Sequence, residues 1–112
     1  MENLSTLSTE INRLHAELCS ALADPTRILI LYLLADQPFT VNEISSRLGV
    51  SQPSASRHLK VLRGRGMVRA ERQGQMVEYS LTDRRLVESL DLLRAVLRDG
   101  IAAQASLLSI QE

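Results

Sequence analysis

The sequence is short of several things, and each shortage excludes a class of protein. A single cysteine, Cys19, in 112 residues rules out an internal disulfide framework and a four-cysteine zinc site. With no tryptophan, one phenylalanine and two tyrosines, the core has to be mainly aliphatic. No apolar run reaches the roughly 18 residues that a membrane-spanning helix needs, and no stretch has the pattern of a signal peptide. The expectation is a cytoplasmic protein with no membrane contact. A glycine-rich phosphate loop, a nucleophile beside a matching base and a placeable pair of catalytic carboxylates are all missing, so an enzyme is not expected and no cofactor is called for. Repeats and low-complexity segments are also absent.

Net charge is zero, which at first argues against a nucleic-acid partner. The distribution argues for one. Between Arg47 and Arg72 stand seven basic residues (Arg47, Arg57, Lys60, Arg63, Arg65, Arg69 and Arg72) and one acid, Glu71. The rest of the chain is correspondingly acidic. A basic face on a neutral body suits DNA. The apolar fraction of 45% is enough for one domain, residues 1–112, with a modest core.

The chain is organised around Thr40–Lys60. Thr40 and Glu43 form a Thr-x-x-Glu capping box that starts a helix. Ile44 and Leu48 give that helix an apolar face. Gly49 permits a tight turn, and Val50 plugs it. Ser51 caps a second helix, with Pro53 tolerated in its first turn. Ala55, Leu59 and Leu62 form the buried stripe of this second helix. Gln52, Ser54, Ser56, Arg57 and Lys60 lie on its polar face, small at the start and basic further on. Such a face can enter a DNA major groove, where short side chains allow close approach and longer ones reach bases and phosphates. A solvated face on a helix that binds nothing has the same composition.

The flanking segments complete an architecture. Residues 1–8 are polar and expected to fray. Ser8 or Thr9 can cap a first helix over 9–22, with Ile11, Leu14, Leu18 and Leu22 at helical spacing. Asp24-Pro25 restarts the chain as a cap followed by proline at the first helical position. The helix over 25–34 is apolar on almost every side, so it should be central and buried. Asp36-Gln37-Pro38 ends it. Beyond the helix-turn-helix, residues 67–73 and 76–81 alternate around Gln73-Gly74-Gln75, as a hairpin does. That hairpin reads as a wing with Arg69, Arg72 and Gln75 near its tip, or as a plain cap on the core. Thr82 is placed as the cap of a long helix over 83–108. Its apolar positions are Leu86, Val87, Leu90, Leu93, Val96, Leu97, Ile101, Leu107 and Leu108. This stripe is wider than one core requires, which points to a homodimer through the first and last helices.

The expected fold is therefore mainly α with a β-hairpin wing, an α+β winged helix-turn-helix. Its order is helix, helix, two motif helices, two strands and a long helix. The motif occupies 40–63, the wing 67–81 and the dimerisation helices 9–22 and 83–108. The expected function is a sequence-specific DNA-binding transcriptional regulator acting on double-stranded operator DNA. Gln52, Ser54, Ser56 and Arg57 are candidates for base edges. Ser51, Lys60, Arg63, Arg69 and Arg72 are candidates for phosphates, and His58 for phosphate or packing. The alternative is a winged-helix protein-interaction module that binds no DNA.

Three segments carry a resemblance: L-A-D-P-T-R at 22–27, L-G-V-S-Q-P-S-A-S-R-H-L-K-V-L at 48–62, and V-E-Y-S-L-T-D at 77–83. Together they resemble the ArsR-type (arsenic-repressor-like) winged-helix regulators over roughly residues 14–99. The resemblance implies a homodimeric repressor released from its operator by an inducer, either a small molecule or a metal. Many relatives sense metals, but the ligand positions here do not match. Where the family has a thiolate pair, this chain has Thr40 and Asn42, and soft metals need thiolates. The site on the last helix falls on Asp83, Arg85, Val96 and Asp99, with both histidines gone. No metal site is expected from either pattern. One sensing pair remains, His15 and Cys19, which are four apart and share a helical face. The pair could ligate a metal or make the thiol redox-sensitive. Against that stands the plain reading of Cys19 as a small buried hydrophobe.

Overall fold

The computed structural model describes residues 3–111, with backbone alone at 102, 106 and 108–111. Helix α1 spans Leu4–Leu14 and starts at Asn3, whose side chain accepts the Thr6 N–H at 2.8 Å. Residues 4–8 are thus helical rather than frayed, and neither Ser8 nor Thr9 is the cap. Leu4 and Leu7 extend the stripe of Ile11 and Leu14, and the Thr9 hydroxyl donates back to the Ser5 carbonyl. Met1 and Glu2 lie outside the described residues. The rod does not run on as one α-helix to residue 22. It widens to a π turn over His15–Cys19, with Ser20 N–H bonded to the His15 carbonyl, and then tightens to a 3-10 turn over Ala21–Ala23.

Helix α2 (Pro25–Asp36) starts as expected, with Asp24 accepting the Thr26 N–H at 2.8 Å and proline in the first turn. Ile30, Leu31 and Leu34 are buried, and the helix packs against α3 (Val41–Leu48), α4 (Gln52–Gly64), β3 (Met76–Leu81) and α5 (Arg85–Gln111). It is central but not covered all round: Leu29 is 53% exposed, because nothing in the single chain lies over that side.

The sheet has a strand that the sequence pattern did not suggest. The two-residue strand β1 (Phe39–Thr40) pairs antiparallel with β3, Phe39 opposite Tyr79, and β2 (Val68–Gln73) pairs with β3 on the other side. The hairpin closes at Gln73 opposite Met76 around a two-residue turn, Gly74-Gln75, with Gly74 at φ 65°. Only glycine adopts that backbone conformation at little cost.

Phe39, Ile44, Ala55, Leu59, Leu62, Met67 and Val68 join the α2 residues in one mainly aliphatic core, closed by Val87 and Leu90 of α5. Thr82 does not cap α5. Its hydroxyl donates to the Gly66 carbonyl at 2.7 Å and its N–H to the Met67 carbonyl, which ties the hairpin's two ends together. Asp83 takes the capping role by accepting the Arg85 N–H at 2.9 Å, so the helix runs over 85–111 rather than 83–108. A polar clamp holds α5 on α2: the Tyr32 hydroxyl donates to Asp91 at 2.6 Å, Arg94 stacks over the Tyr32 ring, and Arg84 reaches the Ala35 carbonyl. Partial burial, and then the bond to Asp91, hold the Tyr32 hydroxyl above its ordinary pKa.

The shape is elongated. The radius of gyration is 17.7 Å, against the roughly 13 Å of a compact chain this long.

Candidate nucleic-acid interface

The helix-turn-helix is held by local bonds at each corner. The Thr40 hydroxyl accepts the Glu43 N–H at 3.3 Å and the Glu43 carboxylate accepts the Thr40 N–H at 3.0 Å. The Thr40 N–H, then its hydroxyl and the charge of Arg47, hold the Glu43 carboxyl below its ordinary pKa. Gly49 ends α3 in the left-handed region, at φ 67°. Ser45 spans the turn to Val50 through both its carbonyl and its hydroxyl. Ser51 accepts the Ser54 N–H at 3.2 Å and so starts α4. That bond occupies an acceptor lone pair and leaves the Ser51 hydroxyl proton free to donate.

Ala55, Leu59 and Leu62 are at most 1% exposed, so the outward direction of α4 is fixed. The helical period then sorts the candidates. Arg57 and Lys60 stand furthest from the core. Gln52, Ser56 and Arg63 share one flank, and Ser54 and His58 share the other, where both are half-buried. The side chains of Gln52, Ser56, Arg57, Lys60 and Arg63 are exposed and make no hydrogen bond or ion pair among the described residues. His58 differs: its Nδ1 stands 3.4 Å from Nη1 of Arg27 on α2, a part-buried contact.

The wing separates its two arginines. Side chains alternate along a strand, so residues 69 and 72 must point to opposite faces. Arg69 pairs across with Ser80 near the hairpin's base, not its tip, and is ion-paired to Glu71 at 3.3 Å. Glu71 stands opposite Glu78, which makes that face locally acidic. Arg72 lies on the other face opposite Val77, next to the turn, and its Nε donates to the Gly74 carbonyl at 3.2 Å. Gln75 is at the tip and exposed. The period-two rule applied to the sequence already separates 69 from 72. Arg27 carries no such signal, because His58, which it meets in the fold, is 31 positions away.

The metal positions named by the resemblance do not fit a metal. Thr40 is committed to the capping box, and Asn42 is an exposed amide. The Asp83 carboxylate is taken by Arg85, at 2.7 Å between Nη2 and Oδ2, and this bond, with the Arg85 N–H, lowers its pKa to about 2. Val96 offers no donor. Among the described residues no group of three or more His, Cys, Asp or Glu side chains could hold a metal ion. His15 and Cys19 are both exposed on the π turn of the single chain, so Cys19 is not part of the chain's own core.

A buried helix pair presenting a free polar and basic helix face, flanked by a hairpin, defines a winged helix-turn-helix DNA-binding protein. The family model described as "Bacterial regulatory protein, arsR family" matches residues 24–70. The chain is 41% identical to the HTH-type transcriptional regulator CmtR of Mycobacterium tuberculosis over 83 residues, 73% of this chain and 70% of that one. Its fold is similar to the crystal structure of M. tuberculosis Rv0081, with a TM-score of 0.75 and 34% identity, covering 85% of this chain and 96% of that one. It is also similar to the homodimeric winged helix-turn-helix domain of Mb0332 from Mycobacterium bovis, with a TM-score of 0.74 and 27% identity, covering 90% and 94%. The chain belongs to the ArsR family of bacterial regulatory proteins and is a transcriptional regulator, not an enzyme. No helix among its described residues is long and apolar enough to cross a membrane.

Proposed function

We propose that this regulator is a homodimeric repressor that holds a two-fold-symmetric operator in the cytoplasm and leaves it when an inducer binds. One observation carries the DNA reading: the outer face of α4 presents five exposed polar or basic side chains with no partner among the described residues, on a helix whose opposite face is locked in the core. Ser54, Ser56, Gln52 and Arg57 read base edges from this face. Ser51, Lys60 and Arg63, with Arg72 at the wing tip, hold phosphates. Arg69 joins them only by giving up Glu71, and His58 only through Nε2.

The dimer reading rests on unpartnered apolar surface. α1 has no buried residue, and Leu93, Val96, Leu97 and Ile101 of α5 are 59–68% exposed. Val87 and Leu90 of α5 close the core and Asp91 and Arg94 meet Tyr32 of α2, whereas Leu93, Val96, Leu97 and Ile101 lie to the side of these residues or further along the helix, open to a second copy. An inducer that binds between these helices releases DNA only if it prefers the geometry of the free dimer to that of the bound one.

The test is fluorescence anisotropy on DNA selected from a random pool, repeated across salt concentrations. The expected result is sequence-dependent binding that weakens steeply with salt, with a log-log slope of about −0.9 per phosphate contacted. Failure to enrich any sequence, with the dimer intact, would replace this reading with the protein-interaction module.

A further inference from the structure

Arg27 lies in the first turns of α2, beside the half-buried flank of α4 that carries His58. It is half-buried, and each of its three nitrogens meets a different group. Nε donates to the Ala21 carbonyl at 2.6 Å, Nη2 reaches the Ser20 carbonyl at 3.5 Å, and Nη1 stands 3.4 Å from Nδ1 of His58. Ser20 and Ala21 are where the rod begun by α1 turns towards α2. His58 sits midway along α4, between exposed Arg57 and buried Leu59. One guanidinium therefore joins the base of the α1 rod to the middle of the helix that faces DNA.

The chemistry suits a brace. A guanidinium is planar and permanently charged, and its donors diverge in a rigid fork. It has no acceptor, so a hydrogen bond at this contact requires Nδ1 of His58 to accept, with the ring proton then on Nε2. The rod has few other fixings, since α1 leads into the body chiefly through the π turn and the 3-10 turn. Swinging the rod in a dimer changes the distance and angle between two α4 helices, and that geometry selects half-site spacing.

We infer that Arg27 is a positioning residue whose contacts to Ser20, Ala21 and His58 fix the recognition helix relative to the α1 rod and thereby set the operator half-site spacing the dimer accepts. This rests on the dimeric DNA-binding reading above. Arg27 also satisfies the carbonyl of buried Ala21, so its removal lowers stability as well, and stability alone is the wrong readout.

The test uses duplexes carrying two copies of the selected half-site, with their separation changed one base pair at a time. For the wild-type dimer we expect affinity to drop by about tenfold two base pairs from the preferred spacing. In Arg27→Ala and Arg27→Lys that drop should shrink to about threefold or less. A lysine keeps the charge but not the fork. His58→Phe keeps ring size, loses the acceptor and should flatten the profile in the same way. His58→Asn puts an amide oxygen near the Nδ1 position and should keep the wild-type profile, whatever its overall affinity. Wild-type spacing selectivity in Arg27→Ala and in His58→Phe overturns the inference; if Arg27→Ala does not fold, His58→Phe decides alone. A flat profile in the wild-type dimer itself would overturn the two-half-site reading beneath, and the inference with it.

Discussion

The reading head and the outer helices treat their apolar side chains in opposite ways. In α2, α3 and α4 the residues Ile30, Leu31, Ile44, Ala55 and Leu62 are wholly buried, at 0% exposure. In α1 nothing is buried, and in α5 no described residue beyond Leu90 is, while Leu93, Val96, Leu97, Ile101 and Leu107 are at least 58% exposed. The spacing of apolar residues is helical in both regions, so composition alone does not explain the contrast. The head finds its packing partners within one chain. The outer helices extend past the core, and each apolar side chain left in water forgoes about 1.5–3 kcal/mol. The elongated shape has the same cause, and a second copy is the economical way to cover both stripes.

The substitution expected to do most damage attacks that contrast directly. Leu97→Asp places a carboxylate in the α5 stripe, where a dimer would bury it uncompensated at a cost of several kcal/mol. Sedimentation should show a folded monomer, and operator affinity should fall by about 100-fold or more. An unchanged dimer would remove α5 from the interface. In the head, Leu59→Ala should lower unfolding free energy by about 2–5 kcal/mol, measured by urea titration, because it opens a cavity beneath the recognition helix. The same Leu→Ala change at Leu97 should barely alter the stability of the isolated chain, since no core depends on it. Equal losses at the two positions would erase the contrast.

A smaller effect separates the roles on the head's outer face. Arg57→Ala should cost about 1–3 kcal/mol on the preferred sequence and relax the choice of one base. Lys60→Ala should weaken all sequences alike and reduce the salt slope by about 1. An operator selection giving the same base preference with and without Arg57 would reassign it to the phosphates. The smallest effect is pH-dependent. Asp83 has its pKa lowered from 3.8 to about 2 by Arg85. A carboxyl depressed in the folded state contributes stability above the unfolded value, and that contribution disappears as pH falls through the folded one. Asp83→Asn should therefore be slightly less stable than wild type above pH 4, with the gap closing between about pH 4 and pH 2. The pair is exposed, so added salt should shrink the gap further.

The helix-turn-helix was legible because its signals are local. Thr40 with Glu43, Gly49 and Ser51 each act within a few residues, and each makes its bond in the structure. Asp24-Pro25 worked for the same reason. Long-range pairing was not legible. Phe39–Thr40 becomes a strand only because Tyr79 and Glu78, about forty residues on, supply the ladder. Thr82 looks like a cap in sequence, yet its hydroxyl is drawn across the hairpin base to Gly66, and Asp83 takes its place. The start of α1 is masked because Ser5, Thr6 and Ser8 make residues 1–8 polar despite Leu4 and Leu7, although Asn3 and Thr6 have the spacing of a cap. On the interface, the outward residues of α4 followed from periodicity. The link from Arg27 to His58 spans 31 positions and emerged only from the fold.

The central claim is that two copies of the head, fixed by their outer helices, read one symmetric site. Hydroxyl-radical footprinting on the selected DNA tests it most directly. The account predicts two equivalent protected patches related by a two-fold axis, with centres about one helical turn (10–10.5 base pairs) or a whole multiple of it apart. A single patch, with DNA saturated by one chain, would contradict it.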